Sequence, residues 1–201
     1  LFKTLLYFGL PIGAQIQLES LAWTVFVLMI GNLGVAELTA HSIAMNIFML
    51  AVMPMAGISV AVSVLVARRI GENNTHLVKR VTGSAMHLAI VLFAGIGFTL
   101  AIHPDFLIEL FAKGMNESMR QMILAPLRDL LRMVVFYSLF QTVAMILAGA
   151  LKGAGDTHFV AWSGIAVVWL VLVLPSAVMS QLASGSLHFS WLCLVASALV
   201  S

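Results

Sequence analysis

A lone glutamate interrupts the first long apolar run of this 201-residue chain: Glu19 lies within Leu5 to Ile30, and no Lys or Arg occurs between residues 4 and 67. A charge near a bilayer midplane costs on the order of 2.5–3.5 kcal/mol on insertion scales, so such a carboxylate needs an offset. Holding a proton is one offset. Exchanging that proton for a metal cation or a cationic substrate is another, and that exchange is the chemistry of an ion-coupling site. On an α-helix Gln15, Glu19, Trp23 and Phe26 share a face at i, i+4, i+8 and i+11, which puts the carboxyl on a polar and aromatic stripe suited to lining a cavity. The alternative role, which such rarely tolerated residues favour less, is a protonated glutamate bonded to Gln15 or Gln17 as glue between helices.

Tyr137 and Gln141 stand one turn apart, and both can hydrogen-bond a ligand or complete an ion's shell; as packing residues they need neither. Asn46 offers the same choice between an interhelical hydrogen bond and a ligand contact. His41, near a helix start with no partner at i+3 or i+4, reads as structural. None of the six histidines falls in HExxH or paired spacing, so no metal site is expected. Cys193 is the only cysteine, which excludes an internal disulfide and any CxxC motif. Without a GxSxG elbow, a Walker sequence or a dinucleotide fingerprint, hydrolase, ATPase and NAD readings lack their parts, and no organic cofactor is implied. One acid within the spans also leaves an intramembrane enzyme without its paired group. The work must come from an ion gradient. Twelve Met and twelve Phe offer an adaptable surface for varied apolar ligands, and are equally ordinary packing material.

The elements that position these residues follow from composition. The chain is 62% hydrophobic and 9% charged, with mean hydropathy +1.09; soluble domains run at about 45–50% and 25%. A soluble fold is excluded and an all-α integral membrane protein is expected, with room for five or six spans of about 20 residues. Span one is Leu5 to Ile30 and holds Pro11. Span two, Glu37 to Ala67, is about 46 Å long at 1.5 Å per residue, more than a ~30 Å hydrocarbon core, with a bend expected at Pro54 and Gly57. Span three is Val81 to Ile102, ended by His103-Pro104-Asp105. Residues 106–132 mix charges with leucine-type spacing and read as one or two short interfacial helices. Span four is Met133 to Leu151 and span five His158 to Met179. SQLASGS is a loop, and span six begins at Leu187 and is cut short, so the chain is expected to be a fragment.

Charge sorts by side. Six basic residues (Lys3, Arg68, Arg69, Lys79, Arg80, Lys152) against Glu72 and Asp156 give +4 on one side. Four basic residues against five acids give −1 on the other, and Glu19 between them completes the net +2. The excess puts the amino end and the 68–80 connector in the cytoplasm. A pI near 9.0 with the basic residues confined to short connectors is a topology signal and points to no nucleic-acid partner.

Four strings, GLPIGAQIQLES at 9–20, LGVAELTAHSIAMNI at 33–47, MPMAGISVAVSVLVARRIGENN at 53–74 and GALKGAGDT at 149–157, together resemble the MATE family of multidrug and toxic compound extrusion transporters. The resemblance covers almost the whole chain. It implies a twelve-helix transporter of two pseudo-symmetric six-helix lobes. This chain, residues 1–201, would be spans seven to twelve with the last truncated, and the amino-terminal lobe its missing partner. The implied activity is secondary-active antiport in a bacterial plasma membrane: export of small organic, often cationic, compounds in exchange for H⁺ or Na⁺. Glu19 is similar to the acidic residue of span seven that many members use in cation coupling, and Tyr137 matches a tyrosine near the ion site of the sodium-coupled branch. Gln141 departs, standing where that branch has an aspartate, which leaves proton coupling or a site in the other lobe open. Pro11, Pro54 and Gly57 fit a family in which helix bending contributes to alternating access. A lipid-linked precursor flippase of the wider superfamily is the alternative, but its pyrophosphate cargo calls for Arg or Lys within the spans.

Overall fold

The computed structural model describes residues 2–102, 108–109, 117–181 and 187–200. Backbone that crosses hydrocarbon must satisfy its own N–H and C=O groups, so the apolar runs become helices. These are α1 (Phe2–Gly31), α2 (Val35–Gly71), α3 (His76–Ile102), α4 (Glu117–Gly153) and α5 (Thr157–Val167). A π-helical segment, Val168–Val173, continues α5 into α6 (Leu174–Gln181), and α7 is Leu187–Val200. Five stretches are long and apolar enough to cross a membrane: Gly9–Gly31, Val35–Gly71, His76–Gly95, Glu117–Gly153 and Thr157–Val178. The 14-residue α7 is a sixth, shorter apolar helix. Among the described residues there is no strand, and the all-α membrane architecture read from the sequence stands.

One expectation fails. The described part of the supposed interfacial segment, from Glu117 onward, is no separate helix but the first turns of the 37-residue α4. The reason is phase: buried Ile123, Leu127, Leu130 and Val134 lie on the stripe that continues to Tyr137 and Ser138, so nothing re-orients the chain between them. The charges that suggested a boundary lie on the other face or at its edge, Arg132 against Asp129 at 3.6 Å and Arg120 against Glu117 at 4.0 Å. His103-Pro104-Asp105 and most of the SQLASGS loop lie outside the described residues.

Helices α1 and α2 run unbroken through Pro11 and through Pro54 and Gly57. A departure from α geometry lies in the fifth span, at Val168–Val173. Pro175 follows directly, and a proline ring removes one N–H and crowds the carbonyl four residues back. The wider π turn accommodates that loss.

Helix α2 packs most extensively on α4, along small residues. A Cβ on Gly149 would stand 2.5 Å from the Ser59 carbonyl oxygen, and one on Gly153 would meet the Ser63 carbonyl oxygen. The Ser59 hydroxyl donates to the Met145 carbonyl at 2.6 Å across the same seam. Buried His41 sits between the rings of Phe26 and Trp191, 5.7 and 5.6 Å away, in the structural role its isolation suggested.

The connectors obey turn chemistry. Asn73 is left-handed at φ 58°, as its Asn-Asn setting suggested. In Lys152 to Thr157, Gly155 has φ 93°, which a side chain would strain, and Asp156 Oδ1 accepts from Phe159 N at 3.3 Å to cap α5. The Tyr7 and His158 rings meet at a tilt of 58°, centroids 4.9 Å apart, so the start of α1 lies with the start of α5. With Gly153 against Ser63, this gathers Arg68, Arg69, Lys79, Arg80 and Lys152 at one end of the bundle, the grouping the charge count required.

At that end Arg68 Nε and Arg69 Nη1 each donate to Glu72 at 2.8 Å, and the two guanidinium groups hold its carboxyl below the ordinary carboxylate range. Because the folded-state value is depressed, the pairing stabilises at pH above the ordinary value and is lost as pH falls through the depressed one. Melting curves of wild type and Glu72→Gln should therefore differ slightly at neutral pH and converge in acid. A gap that persists in acid would assign the difference to something other than these ion pairs.

Candidate functional site

A cavity of about 290 Å³ opens between α1, α4, α5, the π segment and α7. Helix α1 presents Gln15, Glu19 and Trp23 to it, the stripe expected from their spacing. Gln15 Nε2 donates to Glu19 Oε1 at 2.7 Å, the i, i+4 contact a helix allows. Gln15 is 8% exposed, and its Oε1 is buried with no hydrogen-bond partner among the described residues. An orphan buried acceptor is costly, and this one belongs to a side chain that lines the cavity.

Helix α4 supplies Tyr137 and Gln141, followed on the same face by Met145, Ala148 and Lys152. Tyr137 is 4% exposed and packs its ring against Phe48 with centroids 4.7 Å apart. Its neighbours Ser138 and Thr142 are satisfied within the helix, donating to Val134 O at 2.6 Å and Ser138 O at 2.7 Å. Opposite, Gly164 lets the α5 backbone close over the polar pair: a Cβ there would lie 2.7 Å from both Gln15 Nε2 and Glu19 Oε1. The π segment contributes Val168 and Leu172 and is tied to α1 by Trp169 Nε1 donating to Leu18 O at 3.3 Å. Among the described lining residues Glu19 is the one carboxylate and Lys152 the one cation.

Five of the six proposed site residues therefore meet: Gln15, Glu19, Trp23, Tyr137 and Gln141. Asn46 does not join them. Its neighbours Ile43, Ala44, Ile47 and Phe48 take the buried face of α2 and leave Asn46 exposed on the other side. Pro11, Pro54 and Gly57 also lie off the cavity lining. Sequence reasoning missed Lys152, Ser163, Gly164 and Ser197. For Lys152 a signal existed, since Gln141, Met145, Ala148 and Lys152 follow i, i+4, i+7, i+11 on one helical face. The others depend on which helices become neighbours.

Gly164→Ala should test how closely α5 covers the pair. A methyl there would stand 2.7 Å from Gln15 Nε2 and Glu19 Oε1, the far ends of two flexible side chains, which can swing aside at small cost but would give up the hydrogen bond between them. The expected result is a melting temperature little changed, with binding of an organic cation in the cavity weakened. Unchanged binding would show that the α1–α5 contact yields freely.

A bundle whose described elements are all helical, with five spans apolar enough to cross a membrane and a carboxylate on the cavity between them, defines a multi-pass membrane protein. The chain belongs to the MatE family, whose model matches residues 11–179. It is 26% identical over 196 residues to the "Probable multidrug resistance protein NorM" of Geobacillus kaustophilus, covering 97% of this chain and 42% of the relative. It is 29% identical over 186 residues to the protein of the same name from Pseudomonas aeruginosa, covering 91% and 37%. The chain thus spans less than half the length of these relatives. Its fold matches a solved outward-facing multidrug resistance MATE family transporter of the MOP superfamily with TM-score 0.76 at 22% identity, over 98% of this chain and 43% of that one.

Proposed function

We propose that this chain is one six-helix lobe, spans seven to twelve, of a secondary-active antiporter that exports small organic, often cationic, compounds in exchange for H⁺ or Na⁺, with Glu19 as the coupling carboxylate. One observation carries the reading: the only carboxylate described on the polar cavity shares it with Gln15, Tyr137 and Gln141, four groups able to coordinate a cation or hydrogen-bond a substrate. A cation at Glu19 and an organic cation in the same space compete for one charge, and competition at one carboxylate is sufficient for exchange. Ion uptake in the outward-facing form favours release of the organic compound, and ion loss to the cytoplasm restores affinity for it. Trp23 and Met145 supply polarisable surface for varied ligands. Bending at Pro11, Pro54 and Gly57 is the proposed source of alternating access. The relatives' names, multidrug resistance proteins, support the substrate class, and the basic excess at one end of the bundle supports a cytoplasmic amino end in a bacterial inner membrane.

A flippase for pyrophosphate-linked lipids fits less well, because one lysine beside one carboxylate is a poor charge match for that cargo. The test is the complete protein in proteoliposomes, with movement of a fluorescent organic cation followed under an imposed pH or Na⁺ gradient. Gradient-driven movement supports antiport and names the ion; absence of movement under both gradients removes the reading.

A further inference from the structure

A second and larger cavity, about 420 Å³, lies between α2 and α3 at the end of the bundle where the basic residues gather. Its walls are aliphatic, including Ile58, Val62, Leu65 and Leu88, and Arg69 and Arg80 are the charged side chains described on it. From Ile58 to Arg69 the groove follows α2 for about 16 Å at 1.5 Å per residue, close to the depth of one leaflet of a ~30 Å hydrocarbon core. The groove shares no lining residue with the Glu19 cavity.

We propose that this groove holds one anionic glycerophospholipid, its phosphate between Arg69 and Arg80 and an acyl chain along the α2–α3 wall. The local charge favours an anion: Arg68, Arg69, Lys79 and Arg80 share the 68–80 segment with a single carboxylate, Glu72. Glu72 engages Arg68 and only one edge of Arg69, through Nη1 at 2.8 Å. Arg69 Nε is buried and has no acceptor, and Arg80 is in no ion pair among the described residues. A planar guanidinium bonded at one edge and unpaired at the other keeps a donor that a small side-chain shift could turn to a phosphate oxygen. A free phosphate would use the two arginines and leave the aliphatic wall unfilled. A zwitterionic lipid would bring a cationic amine toward Arg69 and Arg80. An anionic lipid matches both halves of the groove, and basic pockets at the cytoplasmic ends of spans suit such headgroups.

The complete protein, purified and stripped of lipid, is titrated with phosphatidylglycerol or phosphatidylcholine, and bound lipid is counted by native mass spectrometry. Phosphatidylglycerol is expected to remain bound at concentrations about tenfold lower than phosphatidylcholine, a difference of one unit in log affinity. The double variant R69Q/R80Q should erase that preference. K79Q, which removes a neighbouring charge outside the groove lining, should keep it. Ser84→Trp fills the groove without touching a charge and should also lower phosphatidylglycerol retention, while excess inorganic phosphate should displace the lipid only in part. Equal retention of both lipids by the wild type overturns the proposal, as does a preference that survives in R69Q/R80Q, equal loss in K79Q, or full displacement by inorganic phosphate. The wild-type comparison of the two lipids decides the matter even where a variant fails to fold.

Discussion

Glu19→Gln is expected to reduce gradient-driven export by roughly a hundredfold, the loss that corresponds to removing a coupling free energy of about 3 kcal/mol between two linked ligands. The substitution nearly conserves volume, and a glutamine oxygen at residue 19 can still accept the hydrogen bond that Gln15 Nε2 now gives to Glu19. Packing against Gly164 is likewise preserved. The variant should therefore fold, reach the membrane and bind compounds, yet fail to link their movement to the ion. Parallel measurement of expression, melting and transport in proteoliposomes separates these effects. Coupled export at the wild-type rate would remove Glu19 from the coupling role and move the site to the partner lobe.

Substitution at the α2–α4 seam is expected to have the second large effect, on stability. Gly149→Val places its Cβ 2.5 Å from the backbone carbonyl of Ser59, an obstacle that cannot rotate away as a side chain could. The two helices must separate, and separation also breaks the bond from Ser59 Oγ to Met145 O. Small residues at such seams matter in membranes because helix association there depends on close van der Waals approach. Overpacking of this kind costs about 1–3 kcal/mol and more where backbone must move, so poor accumulation and a much lower melting temperature are expected. Wild-type melting of Gly149→Val would show that α2 and α4 are held by other contacts.

The contrast between these two sites explains what could be read from the residues alone. Spacing along one helix is a local property, and Gln15, Glu19 and Trp23, like Tyr137 and Gln141, were visible because each group repeats at 3.6-residue period on a single element. The meeting of the two groups, and the closure of Gly164 over them, depends on the neighbours α1 acquires, which no single-helix pattern encodes. That Asn46 lies apart from this cavity was not legible, because polarity in an apolar run marks a residue without saying which face it occupies. Its neighbours Ile43, Ala44, Ile47 and Phe48 held that information. Residues 117–132 misled for the opposite reason, since charges on one face of α4 hid an unbroken buried stripe on the other. The π segment at Val168–Val173 was not legible, because one residue of extra width changes no composition and Pro175 alone does not announce it.

The central claim, that one carboxylate serves ion and substrate in turn, is tested most directly by equilibrium binding of an organic cation to the complete protein across a range of pH and Na⁺ concentration, in wild type and Glu19→Gln. The wild type should bind the cation more weakly as the coupling ion rises, with apparent Kd increasing as the inverse of the fraction of sites the ion leaves free, and Glu19→Gln should show a flat response. Competition of equal strength in both proteins would contradict the account and place the exchange elsewhere.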